Sequence, residues 1–287
     1  MGSQQLSVSS SCTCQDLANV SRSIKLNKDI DTASHLIKTR CRSLIRSRNS
    51  ETKSGQGPAK DIISAALASG SFTETALTDQ VMTFLIAGHE TTAASLSWAI
   101  YALCQQPRLQ TRLRDEILSK VPHFGTSGTV TEKDMEELHY LHVVCNEVLR
   151  LYPPVPVTIR VAARDTRLLE YSIPKGTAIL LSPWAVNRST TLWGSEALEF
   201  DPDRWITGGT NAGGASSNFA MLTFLHGPRN CIGSAFAKAE FACLLASWVA
   251  RYETSFADPD HTMKVKNGIA ARPANLQVKL APVRNYS

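Results

Sequence analysis

The chain has 287 residues, 43% of them hydrophobic, and 30 Lys+Arg against 25 Asp+Glu give a formal net charge of +5. That composition excludes wholesale disorder and leaves room for a sizeable core or two ordinary domains. An excess so mild does not by itself indicate nucleic acid or a membrane surface, and no run reaches the ~18–20 apolar residues needed to span a bilayer.

In chain order, residues 1–24 open on the serine-rich "MGSQQLSVSSSCTCQD", which has no apolar period and reads as a disordered tail. From Asp31 to Arg48, Ala33, Ile37, Cys41 and Leu44 fall on one helical face, and Lys38, Arg40, Arg42, Arg46 and Arg48 line the rest as a solvated surface. "NSETKSGQGPAK" reads as a linker, and a long helix is expected from Thr78 to Gln106. Pro107 suits the first turn of the next helix, which runs through "RLQTRLRDEILSKV". "HFGTSGTV" is a loop, and Thr131 with Asp134 marks a further helix start. "YLHVVCNEVLRLY" is a helix stopped by Pro153 and Pro154, because a residue before proline avoids helical backbone angles. "RLLEYSIPKGTAILLSP" reads as short strands turning at Pro174–Gly176, and "LQVKL" places Leu276, Val278 and Leu280 on one face of a closing hairpin. The sum is a mainly α chain with small β sheets.

The seven cysteines (Cys12, Cys14, Cys41, Cys104, Cys145, Cys231, Cys243) are odd in number and widely spaced. With no secretory signal, a reduced intracellular setting is expected over a disulfide scaffold. Cys12 and Cys14 are too close together and too isolated for a zinc site. The glycosylation patterns at Asn19 and Asn187 are discounted for the same lack of a signal.

"FLHGPRNCIG" sets Cys231 beside Arg229, between Gly227 and Gly233, and Ala235, Ala239, Ala242, Ala246 and Val249 then repeat at helical spacing. A helix start and a nearby guanidinium both favour a thiolate, the form that binds metal. Glycines let the backbone pass close to something flat, and thiolate ligation of iron supplies the electron donation that helps cleave an O–O bond. A buried free thiol at a helix start is the commoner case by residue type. The full pattern F-x-x-G-x-R-x-C-x-G tips the balance. Phe224, Gly227, Arg229, Cys231 and Gly233 match all five fixed positions, and the loop resembles the haem-binding loop of the cytochrome P450 monooxygenases.

"FLIAGHETTAAS" lies in the first long helix. A zinc-protease reading of His89 and Glu90 fails, since Ala93 stands where the second imidazole belongs. Gly88 loosens the helix, and the Thr91 hydroxyl can compete for the Ala87 carbonyl and open the ladder. The stretch resembles the family's oxygen-activation motif, which implies that Glu90 and Thr91 deliver protons to bound dioxygen. Glu147 and Arg150 share a helix face at i,i+3, a weak signal alone. Followed by "LYPPVP" and "FDPDRW", they resemble the family's Glu-Arg-Arg network with Arg204 as third member, a structural clamp on the cysteine loop. Arg160, expected on a strand, would by the same resemblance join Arg229 in pairing with the haem propionates. Val155 and Val157 would then face the substrate, while His226 packs the loop.

The resemblance covers roughly residues 25–287 and implies the C-terminal portion of the cytochrome P450 fold, with the N-terminal part and its anchor expected to be absent. It implies haem b with Cys231 as axial ligand and insertion of one oxygen atom of dioxygen into a lipophilic small molecule. The apolar segments Phe84–Ile86, Val155–Val157 and the Ile269 loop suit such a substrate. No Gly-rich dinucleotide or flavin fingerprint is present, so electrons are expected from an NADPH-dependent reductase that meets basic groups such as Lys238. An endoplasmic reticulum setting is implied by family. Two alternatives stand at this point: a reductase-independent peroxide isomerase, expected to lack the acid–threonine pair, and a non-catalytic haem-binding or interaction remnant.

Overall fold

A computed structural model describes residues 14–53, 61–122, 124, 129–207 and 213–283. The chain divides into two compact units, Met1–Ala87 and Gly88–Ser287.

In the first unit, α1 (Cys14–Lys53) begins earlier than expected, so residues 14–24 of the anticipated tail are helical. The charged run that follows carries no helix breaker, and the helix continues back through it. Residues 1–13, Cys12 included, lie outside the described residues, as do residues 54–60 of the expected linker. The buried stripe of α1 is Cys41 and Ile45, not Leu44, which is exposed. They pack with Leu77, Val81 and partly buried Ile63 and Leu67. Ile63 and Leu67 belong to α2 (Ile62–Ser69), a helix the sequence reading passed over. Its punctuation is legible in retrospect: the Asp61 carboxylate accepts from Ser64 N at 2.8 Å, and Gly70 ends the helix at φ 62°. α3 (Glu74–Gln105) starts four residues before the expected Thr78, where Thr73 Oγ1 accepts from Ala76 N at 3.2 Å.

The second unit is built around the later half of α3, α4 (Pro107–Lys120), α6 (His139–Leu151) and α10 (Ser234–Arg251). Trp98, Leu113, Leu141, Val148, Phe241 and Leu245 meet in its core. Between α4 and α6, α5 (Glu132–Glu136) carries the expected capping box: Asp134 N donates to Thr131 Oγ1, and Thr131 N donates to Asp134 Oδ2. α6 is capped from outside itself, its Tyr140 and Leu141 N–H groups each donating at 2.9 Å to the Glu116 carboxylate of α4.

Among the described residues, four two-stranded antiparallel sheets accompany the helices. β1 (Thr158–Val161) pairs with β4 (Ala178–Leu181), and β2 (Thr166–Leu168) with β3 (Tyr171–Ile173). The expected turn closes where Thr177 N reaches the Pro174 carbonyl and Gly176 takes φ 86°. Short helices α7 (Pro183–Val186), α8 (Thr190–Trp193) and α9 (Arg204–Thr207) lead to the cysteine loop. β5 (Tyr252–Phe256) pairs with β8 (Val278–Pro282), enclosing β6 (Val265–Lys266) and β7 (Arg272–Pro273). The last strand therefore closes on β5, across an intervening strand pair, rather than on its neighbour in sequence.

Trp98 ties these layers together. It is fully buried, stacks on Tyr152 with ring centroids 4.5 Å apart, and donates its indole N–H to the Ala271 carbonyl at 2.9 Å. Trp98→Phe keeps the stack and orphans that carbonyl. Chemical denaturation should show a loss of about 1–3 kcal/mol, the cost of leaving one buried polar group unpaired.

Candidate functional site

One cavity, of roughly 200 Å³, brings α3 against the cysteine loop. Thr91, Thr92 and Ser95 form its wall on α3, Phe224, Arg229 and Cys231 its wall on the loop, and Val155 with Phe241 adds apolar surface. Glu90 and Arg160 are not among the residues that line it. Glu90 stands half-buried one position before Thr91, and Arg160 turns back on β1, donating to Thr158 Oγ1 and the Ile159 carbonyl. Of the three apolar segments expected around a substrate, only Val155 lines this cavity. Ile269 and Val157 are exposed, and Phe84 lines a separate apolar groove inside the first unit.

The loop is shaped by two unusual backbone positions. Leu225 takes φ 58° and Gly227 φ 77°. The second needs glycine, and the first carries a strain of ~1–3 kcal/mol of the kind concentrated at functional sites. Cys231 N donates to the Phe224 carbonyl at 2.8 Å, which closes the loop and leaves the thiol at its exposed rim. A Cβ at Gly233, the residue before α10, would stand 4.0 Å from the Cys231 sulfur, so the sulfur lies beside the start of that helix. His226 packs the loop as expected, its ring nitrogen 3.2 Å from the Met221 carbonyl and its edge on Phe219. Cys243 is exposed as well, whereas three other cysteines are sealed inside. Cys41, Cys104 and Cys145 are buried, and burial raises each thiol pKa, that of Cys104 to about 11. They pack as small apolar side chains.

Behind the loop lies a buried ion network. Glu147 and Arg150 are both 0% exposed and joined by two 2.8 Å bonds in a forked pair. Arg204 Nε and Trp205 Nε1 donate to the same carboxylate at 3.0 Å, and Asp201 N adds a third 3.0 Å bond. Arg150 gives its remaining donors to the carbonyls of Asn187, Ala197 and Glu199. Trp205 is held from behind by Gly213, where a Cβ would come within 2.9 Å of the indole.

Sequence reasoning missed three contributors. Asn187, set aside as a glycosylation pattern, is 0% exposed and has its side-chain amide bonded on both ends. Thr223 receives one of those bonds and donates to the Leu149 carbonyl at 2.6 Å. Thr92 lines the cavity at only 6% exposure, and its hydroxyl has no hydrogen-bond partner among the described residues. No local pattern marks any of them, since each is defined by neighbours distant in sequence.

A family profile for cytochrome P450 matches residues 8–280. The chain belongs to the cytochrome P450 family. It is 46% identical over 267 residues to cytochrome P450 monooxygenase sphH of Aspergillus fumigatus, an alignment covering 91% of this chain and 49% of that protein. It is 40% identical to cytochrome P450 monooxygenase ALT8 of Alternaria alternata, covering 86% and 49% of the two chains. Cytochrome P450 monooxygenase FUM15 of Gibberella moniliformis is 37% identical, with 91% and 52% covered. A crystal structure of the cytochrome P450 CYP102L1 superposes with a TM-score of 0.76 at 27% identity, covering 86% of this chain and 56% of that one. The fold is that of a P450, and the chain spans about half the length of the curated relatives it matches. No helix among the described residues is long and apolar enough to cross a membrane.

The donor set of this P450 cavity fits a thiolate-ligated haem. It offers one exposed thiol, the Arg229 guanidinium for a carboxylate, apolar walls for a macrocycle, and three hydroxyl residues of α3, Thr91, Thr92 and Ser95.

Proposed function

We propose that the chain carries the haem-thiolate centre of a monooxygenase that inserts one oxygen atom of dioxygen into a lipophilic small molecule. The observation that carries this reading is Cys231, an exposed thiol in the wall of a largely apolar cavity, faced by the hydroxyls of α3. Cys231 would hold haem b through its sulfur, with Phe224 packed against the loop and Arg229 and Arg160 as cations for the two carboxylates. When bound, the haem supplies dioxygen binding and oxygen-atom transfer. Thr91 brings a hydroxyl to the cavity lining, and Glu90, one residue earlier and half-buried, would bring protons to it. The acid–threonine pair favours dioxygen over peroxide as the oxidant. Glu147, Arg150 and Arg204 hold structure and take no part in the chemistry.

Electrons would come from an NADPH-dependent reductase docking near Lys238, whose ammonium stands 5.6 Å over the Phe224 ring at the back of the loop. An endoplasmic reticulum setting belongs to the same reading. Lys238→Glu should slow reductase-supported turnover while leaving the haem spectrum intact, and stopped-flow reduction at low and high salt checks this. Unchanged reduction rates would remove Lys238 from the docking surface.

The test of the whole reading is spectroscopic. The chain is expressed, supplied with haem, reduced and exposed to carbon monoxide. A thiolate-type Soret band is expected, and protein that takes up no haem overturns the proposal.

A further inference from the structure

Asn187 stands where three segments meet. Its side-chain N–H groups donate to the Arg150 carbonyl at 3.0 Å and to Thr223 Oγ1 at 2.8 Å. Its side-chain oxygen accepts from Leu222 N at 2.8 Å, and its own backbone carbonyl accepts from the Arg150 guanidinium at 2.8 Å. One fully buried amide therefore joins the end of α6, the end of α7 and residues 222–223. The next residue is Phe224, whose carbonyl receives the N–H of Cys231.

We propose that Asn187 is a positioning residue: it passes the rigidity of the Glu147–Arg150 pair to the cysteine loop and so fixes where the Cys231 sulfur stands. The chemistry admits few substitutes. The site needs two donors aimed at a carbonyl and a hydroxyl, and one acceptor aimed at an N–H, which a side-chain amide supplies and a carboxylate does not. Apart from these and the Thr223–Leu149 bond, no hydrogen bond among the described residues ties residues 222–223 to the end of α6. The loop that follows contains strained Leu225 and is exposed from His226 to Ile232, so its order depends on that anchorage. The significance for catalysis rests on the haem-thiolate reading, whereas the anchorage itself does not.

Amide hydrogen exchange on the haem-free chain separates the two. Asn187→Asp keeps the acceptor and loses both donors, and Thr223→Val removes the hydroxyl between Asn187 and Leu149. Each should speed exchange across residues 222–233 by about tenfold, with α4 unchanged. Thr223→Ser, which keeps the hydroxyl, should exchange like the parent. The double variant should be no faster than Asn187→Asp alone, because both changes cut one link. Loop exchange equal to the parent, acceleration spread evenly over the molecule, or additive effects in the double variant would each overturn the proposal. A haem-loaded arm then reads function: Asn187→Asp should convert the thiolate-type band to a thiol-type one. If the parent itself binds no haem, the functional reading falls while the exchange data still decide the anchorage.

Discussion

Cys231→Ser should abolish the thiolate signature of the haem-loaded chain and leave the haem-free fold intact. The substitution changes one atom. The residue 231 N–H still reaches the Phe224 carbonyl, the side chain shrinks only slightly, and the position is exposed, so the folding free energy should stay within about 0.5 kcal/mol of the parent. A hydroxyl does not ionise near neutral pH and gives iron none of the donation a thiolate gives, so the reduced, carbon-monoxide-bound spectrum should lose its thiolate-type band entirely. Cys243→Ser is the control. That thiol is exposed on α10 and lines no part of the cavity, so its removal should leave the band where it was. Survival of the band in Cys231→Ser, or its loss in Cys243→Ser, would place the ligand elsewhere.

The helical half of the fold was legible because its punctuation is local. Pro107 opens α4, Thr131 and Asp134 cap α5, and the paired prolines 153 and 154 close α6, each as the sequence indicates. The errors fell where the deciding partner lies far along the chain. Leu44 and Ile45 are equally good apolar residues, and only the packing of α1 on Leu77 and Val81 selects Ile45. β8 looks like half of a closing hairpin, but its register is set by β5. The same distinction runs through the site. The loop pattern around Cys231 is contiguous and could be read directly, as could the i,i+3 pair of Glu147 and Arg150. Asn187 works through Arg150 and Leu222, and Thr92 lines a cavity whose other walls come from distant segments. Neither has a signature of its own, and the N-x-S pattern at Asn187 pointed outward to solvent when the side chain is sealed inside.

Arg150→Leu should cost about 3–5 kcal/mol of folding free energy, because it deprives the fully buried Glu147 carboxylate of its main cation. The forked pair contributes two of the five hydrogen bonds that the carboxylate receives. Arg204, Trp205 and Asp201 N remain, which holds the loss near the lower end of that range. The opposite end is favoured by the carbonyls of Asn187, Ala197 and Glu199, which lose the guanidinium that served all three. Arg150→Lys retains charge but has no planar fork to reach the carboxylate and three carbonyls at once, so it should fall between the parent and the leucine variant. Glu147→Gln inverts the problem by leaving two guanidiniums without their anion, and should be about as damaging as Arg150→Leu. Urea unfolding of the haem-free chain measures all three, the midpoint falling at unchanged slope. Against a typical total of ~5–15 kcal/mol, a loss of this size removes roughly a fifth or more of the stability. An unfolding free energy for Arg150→Leu within about 1 kcal/mol of the parent would mean that the pair is dispensable.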